Sequence, residues 1–345
     1  MGCWRRKKKN KKKEKEKARI WFLRNGSMFL EQLIADCNGI SNPIRVFSSN
    51  QISKATNHFD PCSLIDQSET FIWYKGVIEG RSYMLKRFTE PWREDEPYND
   101  IVLSVRVSNY SGFPKLMGCC LDFPTPVVVF KDLEFRFLNR RGSIGCEDAP
   151  LLPWNVRLKI AKEVATAIAY LHTAFPRVII HRDINPRNVL LDKNGTAKLT
   201  GLSLSVTLPE GKSWIEETVL GTHGYADPIY SMTGILTASS DVFSFGILML
   251  VLLMGRRPFL VGSDGVLDPQ RLMLDYVRDL QERGEPVEFG GDSNDMRLCQ
   301  MKMFLDLALR CCKKRNEDRP KMILVAKEIK LIEKGKLDCS GDGQI

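Results

Sequence analysis

The chain has 345 residues, 43% of them hydrophobic and 27% charged, which is ordinary for a globular protein and long enough for two lobes. Its net charge of +9 belongs to one end: residues 1–19 carry eleven Lys or Arg against two Glu, and the remaining 40 basic and 40 acidic residues cancel. A folded nucleic-acid-binding surface is therefore not indicated, and no run of 18 apolar residues offers a membrane span.

The basic run from Arg5 to Lys17 repels itself and is expected to be disordered when free. It follows Met1-Gly2-Cys3, where Gly2 is a candidate for myristoylation and Cys3 for palmitoylation. A lipid plus a polybasic stretch is the two-signal arrangement for anchoring to an anionic surface, here the cytoplasmic face of the plasma membrane. Arg6 stands where Ser or Thr is favoured, so a solvated basic arm, or a nuclear or RNA-contacting run, remains the alternative. Ile20 to Ile40 carries a helical apolar pattern, and Phe47 to Phe59 a second one with Ser48 or Ser49 as cap. From Ser63 to Leu133 short apolar runs alternate with turns; Phe71–Tyr74, Ser82–Leu85 and Pro126–Phe130 read as strands. Helices are expected at Trp154–His172, Asp241–Met254, Leu267–Gln281, Met296–Cys312 and Pro320–Lys334, and Phe245 to Met254 is apolar enough for a core helix. The organisation is thus a basic tail (1–19), a helical extension (20–57), a β-rich part (58–133), a helical part (134–335) and a short tail (336–345), an α+β arrangement. The ten cysteines show no zinc spacing. Cys119-Cys120 and Cys311-Cys312 suit reduced, buried positions better than a disulfide framework.

Several motifs in order resemble the protein-kinase fold, over about residues 58 to 335. His181-Arg182-Asp183 with Asn188 reads as the H-R-D-x-x-x-x-N catalytic loop. Gly221-Thr222-His223-Gly224-Tyr225 looks like the end of an activation segment, and Asp241 to Gly246 matches D-V-x-S-F-G. Arg319-Pro320 matches a late Arg-Pro, and Lys86 fits the third-strand lysine of V-A-I-K. The resemblance implies a small β-rich lobe and a larger helical lobe.

The chemistry is depleted at each step. Where a kinase places D-F-G, whose Asp holds Mg²⁺, stands Thr200-Gly201-Leu202-Ser203, and a glycine offers no side-chain ligand. No metal site is expected. The three glycine positions of the phosphate-covering loop hold Asp66, Ser68 and Phe71. Asp66 and Glu69 add negative charge; a carboxylate about 4 Å from a phosphate oxygen costs about 4 kcal/mol at an effective dielectric near 20. Ile65, Asp66, Phe71, Trp73 and Lys86 therefore mark a degenerate ATP site, with Trp73 and Trp154 read as core. The helix that should hold Lys86 lies near Tyr98 to Ser108, with Ile101 at the Glu position and only Asp100 nearby, so the ion pair is expected to be absent. Asp183 and Asn188 persist as a vestigial base and a vestigial metal ligand, while the usual Lys two residues after the Asp is Asn185. A-P-E is replaced by Asp227-Pro228-Ile229, which leaves Arg319 in need of another acceptor. Ser213, Thr218 and Thr222 in the activation segment are candidate phosphorylation sites.

Closer resemblance comes from Ser53 to Phe59, Leu116 to Cys120 and Arg310 to Pro320, which look like plant receptor-like cytoplasmic kinases. Phe22 to Ser27, Asn185 to Leu190, and Lys198 to Thr200 followed by Ser203-Leu204-Ser205 are similar to the ZED-related kinases, a group with many pseudokinases. The resemblance implies an inactive adaptor in plant innate immunity that needs no cofactor. Its implied partners are the leucine-rich-repeat part of a nucleotide-binding immune receptor, and bacterial effectors or host kinases that effectors have modified. The retained Lys86, Asp183 and Asn188 keep a weak ATP-dependent serine/threonine kinase as the alternative, and a nucleotide-binding switch without turnover as a third reading.

Overall fold

The computed structural model describes residues 2–37, 44–68, 70–89, 93–261, 267–291 and 295–335. The chain divides into two compact units, Met1–Leu133 and Glu134–Ile345.

The first unit is built on one six-stranded sheet. Its elements are α1 (Gly2–Cys37), β1 (Arg45–Val46), α2 (Ser49–Ala55), β2 (Leu64–Gln67), β3 (Phe71–Ile78), β4 (Arg81–Phe88), α3 (Glu96–Val107), β5 (Leu116–Cys120) and β6 (Val127–Lys131). The strand order is β1-β5-β6-β4-β3-β2. The three expected strand segments lie in β3, β4 and β6. β1 pairs in parallel with β5, so the segment before residue 58 contributes a strand to the sheet rather than standing apart. Gly118 permits that approach: a Cβ there would lie 1.9 Å from the Arg45 carbonyl oxygen. Ser48 caps α2 through a reciprocal box with Gln51.

α1 departs from expectation, because its helical backbone reaches back through the basic run to Gly2. Lys and Glu are good helix formers, and extending a helix already nucleated by packing costs little per residue. The nucleus is visible at Asn25. Its Nδ2 donates to the Leu121 and Phe123 carbonyls at 2.8 Å each, and its Oδ1 accepts from the Tyr98 hydroxyl of α3 at 2.8 Å. Burial pushes the Tyr98 phenol up to about 12, which keeps it a neutral donor.

The second unit is mainly helical. It contains β7 (Arg136–Phe137), α4 (Trp154–Thr173), β8 (Ile179–Ile180), β9 (Val189–Leu191), β10 (Ala197–Leu199), β11 (Val206–Thr207), β12 (Trp214–Glu216), α5 (Pro228–Thr233), β13 (Ile235–Thr237) and α6 (Ala238–Met254). β14 (Phe259–Val261), β15 (Leu267–Leu272), α7 (Met273–Glu282), α8 (Asp295–Cys311) and α9 (Met322–Glu333) complete it. α6 is buried along its length, as its apolar sequence requires. The expected helix from Leu267 is half right: residues 267–272 are β15, and α7 starts only at Met273. Pro269 lacks an N–H and disfavours helix for the residue before it.

Cys119, Cys120, Cys311 and Cys312 are buried free thiols. Cys299, outside the two adjacent pairs, is disulfide-bonded. Among the described residues no helix is long and apolar enough to cross a membrane.

Candidate functional site

The functional residues of the first unit lie on one face of the β3–β4 hairpin. Trp73 pairs opposite Lys86 and Phe71 opposite Phe88, and side chains two apart share a face. Three rings therefore wall one ammonium. Lys86 Nζ lies 4.1 Å from the Phe71 centroid, 4.8 Å from that of Phe88 and 5.9 Å from that of Trp73. The aromatic faces attract the cation electrostatically. On the helix side, Nζ meets Asp100 Oδ2 of α3 at 2.8 Å, with both side chains buried (0% and 1% exposed). The expected absence of this ion pair is thus overturned. Asp is one methylene shorter than Glu, but it sits one residue before Ile101, where its carboxylate reaches the ammonium. The other carboxylate oxygen, Asp100 Oδ1, is buried without a hydrogen-bond partner.

The turn preceding β3 is closed by its own side chain. Ser68 Oγ accepts from the Phe71 amide at 3.1 Å and the Thr70 amide at 3.3 Å, and the Ser68 amide donates to the Phe71 carbonyl at 2.9 Å. Ile65 and Asp66 are part-buried in β2, where Asp66 pairs with Trp73. Glu69 lies outside the described residues.

The second unit holds the catalytic-loop residues. Asp241 organises the loop, accepting from the His181 amide, the Arg182 amide and the His172 ring, each at 2.8 Å. Asp183 is then enclosed by neutral donors. Its Oδ1 accepts from Thr222 Oγ1 at 2.6 Å, Asn185 Nδ2 at 3.0 Å and the Thr222 amide at 3.1 Å; its Oδ2 accepts from Asn188 Nδ2 at 2.7 Å. Asn185, standing at the lysine position, brings an amide and no charge. Asn188 turns its amide nitrogen, a donor, toward Asp183 and also bonds the Asp183 carbonyl at 2.7 Å.

Gly201 explains why Asn188 can lie there. It adopts φ +85°, and a Cβ would fall 2.5 Å from Asn188 Cγ and Oδ1. The space that a side chain at position 201 needs is filled by the asparagine. These residues do not fit a divalent cation: hard cations take oxygen ligands, chiefly carboxylates, and here one carboxylate is saturated by donors while position 201 has no side chain. No group of three or more His, Cys, Asp or Glu able to hold a metal exists among the described residues.

Of the candidate phosphorylation sites, Ser213, Thr218 and Thr222 are all exposed, and the Thr222 hydroxyl is already bonded to Asp183. Arg182 is buried against the activation segment, donating to the Tyr230 hydroxyl at 2.8 Å and to the Thr218 carbonyl, with Glu217 at 3.6 Å. Arg319 finds its acceptor two residues before Ile229: it makes a bidentate pair with Asp227 at 2.8 Å for both bonds, fully buried. Asp227 also caps α5, and an Asp immediately before Pro was the legible signal for that role. Phe88 escaped sequence reading, as did the hydrogen-bonding roles of Ser68 and Asn25. Phe-x-Trp and Lys-x-Phe at strand spacing would have placed Phe88 with Lys86; nothing local marks Asn25.

The protein kinase domain family matches residues 132–330. Over 332 residues the chain is 53% identical to the serine/threonine-protein kinase ZRK1 of Arabidopsis thaliana, covering 92% of this chain and 93% of that protein. It is 47% identical over 340 residues to the non-functional pseudokinase ZRK2 of the same plant, covering 95% and 93%. With the non-functional pseudokinase ZED1, also of Arabidopsis thaliana, it shares 44% over 332 residues, 92% and 98%. These relatives thus divide between one named as a kinase and two named as non-functional pseudokinases.

Proposed function

This chain belongs to the protein kinase family and, within it, to the ZED-related group, and from that membership we propose that it is a catalytically inactive adaptor in plant innate immunity. It links the leucine-rich-repeat part of a nucleotide-binding immune receptor to bacterial effectors or to host kinases that effectors have modified. It needs no cofactor for this role. Gly2 and Cys3 carry lipid, and with the basic run hold it at the plasma membrane.

One observation carries the inactive reading. Both oxygens of Asp183 are taken by neutral donors, one of them from the asparagine that fills the space beside Gly201. Phosphoryl transfer depends on metal and basic side chains neutralising charge on the moving group, and the lysine position beside Asp183 holds the neutral Asn185. The adaptor reading has a surface to use. Ile20, Leu23, Leu30 and Ile34 of α1 are 57%, 62%, 53% and 54% exposed, and their spacing puts them on the side of the helix opposite Asn25. An apolar stripe left in water on a folded chain favours a partner that covers it.

The test is a radiolabelled-ATP assay with Mg²⁺ and with Mn²⁺. Wild type is expected to transfer no phosphate; a signal that vanishes in Asp183→Asn overturns the proposal. Leu23→Glu with Leu30→Glu is expected to abolish co-purification with the receptor's repeat domain at unchanged Tm. The second reading, a weak serine/threonine kinase, is favoured by the name of the 53% identical relative and by the retained Lys86, Asp183 and Asn188.

A further inference from the structure

The hairpin of the first unit raises a question that the loss of catalysis does not answer. A phosphate-cradling turn presents free backbone N–H groups and a lysine ammonium to an anion. Here the Thr70 and Phe71 amides and the Lys86 ammonium are present, and these three are engaged by the chain itself. The Thr70 and Phe71 amides donate to the Ser68 hydroxyl at 3.3 and 3.1 Å. The Lys86 ammonium, with no exposed surface, is covered by the Phe71 ring at 4.1 Å and paired with Asp100. Ser68 and Phe71 stand at two positions where kinases carry glycine. A glycine at 68 would leave both amides without their acceptor. A glycine at 71 would remove the ring from the ammonium.

We propose that Ser68, Thr70 and Phe71, with Lys86, form a self-occupied phosphate site, in which the Ser68 hydroxyl takes the place of a phosphate oxygen and the Phe71 ring that of the anion facing Lys86. The ligand class it excludes is a nucleoside triphosphate. Asp100 keeps one buried carboxylate oxygen without a hydrogen-bond partner, so the pair with Lys86 lacks the full set of bonds that a purely structural buried pair would use. The ammonium stays aimed at the ring. The occlusion by Ser68 and Phe71 is therefore local, and it adds to the unfavourable charge of Asp66 and Glu69, which the glycine variants keep. This inference deepens the proposed inactivity but rests on different atoms, in the other unit.

The experiment measures binding rather than turnover. Fluorescent ATP analogue is titrated, with and without Mg²⁺, into wild type, Phe71→Gly, Ser68→Gly, the double variant, and the double variant carrying Lys86→Met. Far-UV circular dichroism and Tm verify folding. Wild type is expected to show no saturable binding. The double variant should bind about tenfold or more tighter, the scale of one charge-assisted contact, and Lys86→Met should remove the gain. A folded double variant that gains nothing overturns the proposal, as does wild-type binding that Lys86→Met abolishes.

Should the glycine variants fail to fold, Phe71→Leu retains bulk without the ring. Lys86 should then become several-fold more reactive toward an amine-modifying reagent, and unchanged reactivity overturns the proposal equally. Wild type that transfers phosphate would refute the proposed function, whereas wild type that binds nucleotide through Lys86 without transfer would refute only this inference.

Discussion

Lys86 in the first unit and Asp183 in the second are the two charges that a kinase sequence most needs, and the fold keeps them by opposite means. Lys86 is sealed from water and held by a formal opposite charge with three aromatic rings around it. Asp183 is part-buried and held by two amide side chains, a hydroxyl and a backbone amide, all neutral. A buried charge depends on its counter-charge, because the desolvation cost persists once the partner is gone. A charge near water depends on hydrogen bonds that water can replace. The first arrangement is brittle toward single substitutions; the second is tolerant. Retention of a catalytic residue type is thus a statement about its surroundings, not about its use.

The largest effect should appear when one member of a buried pair is removed. Asp100→Ala leaves the Lys86 ammonium uncompensated and is expected to cost about 3–5 kcal/mol in urea unfolding. Asp227→Ala strands Arg319 in the second unit and should cost a similar amount, about 3–5 kcal/mol. The sharper form of the comparison is the double variant Lys86→Leu with Asp100→Leu, expected near wild-type stability; a double variant as unstable as Asp100→Ala would show that the pair is stabilising in its own right. Asp183→Ala removes only neutral partners at a part-solvated position. Its expected cost is smaller, about 1–3 kcal/mol.

Asn25→Ala tests whether α1 belongs to the first unit. Three buried hydrogen bonds are lost, and about 1–3 kcal/mol should go with them. Amide exchange along α1 should accelerate before exchange in the sheet does; uniform acceleration would mean that the helix is no separate layer. Gly201→Asp should fail to create kinase activity in the radiolabelled-ATP assay, since the new Cβ meets Asn188 at 2.5 Å and the backbone stays at φ +85°. Appearance of transfer would mean that Asn188 swings away freely and that metal was the sole missing part.

The smallest effect concerns thiols. Burial pushes Cys119, Cys120 and Cys312 from 9.0 up to about 12, so at pH 8 they should resist alkylation while exposed Cys62 and Cys146 react. Because the folded value is raised, their contribution to stability is complete below pH 9 and declines as the pH climbs from there toward 12, where unfolded thiols ionise first. Rapid alkylation of Cys119, Cys120 or Cys312 in native protein, located by peptide mass spectrometry, would contradict their burial.

Much of the fold was legible because its signals are local. The β3, β4 and β6 strands follow from short apolar runs between turns, α2 from its apolar pattern behind a serine cap, and α6 from a run too apolar to face water. The kinase motifs placed Lys86, Asp183, Asn188 and Gly201 by spacing. What remained hidden was pairing over distance. Asp100 reaches Lys86 because α3 packs on the sheet at β5 and β6, beside β4, and Asp227 reaches Arg319 across 92 residues. In each case sequence matching looked for a Glu at a fixed position, while the fold accepted an Asp at a neighbouring one.

The amino-acid order alone determined the two-unit kinase architecture, the concentration of charge at one terminus and the missing carboxylate at Gly201, since composition, periodicity and motif spacing are one-dimensional properties. Tertiary structure decided which groups meet: the carboxylate that pairs with Lys86, the donors that surround Asp183, and the asparagine that occupies the space beside Gly201. Hydrogen bonds and ion pairs depend on distances of a few ångströms between residues far apart in the chain, and only packing fixes those distances.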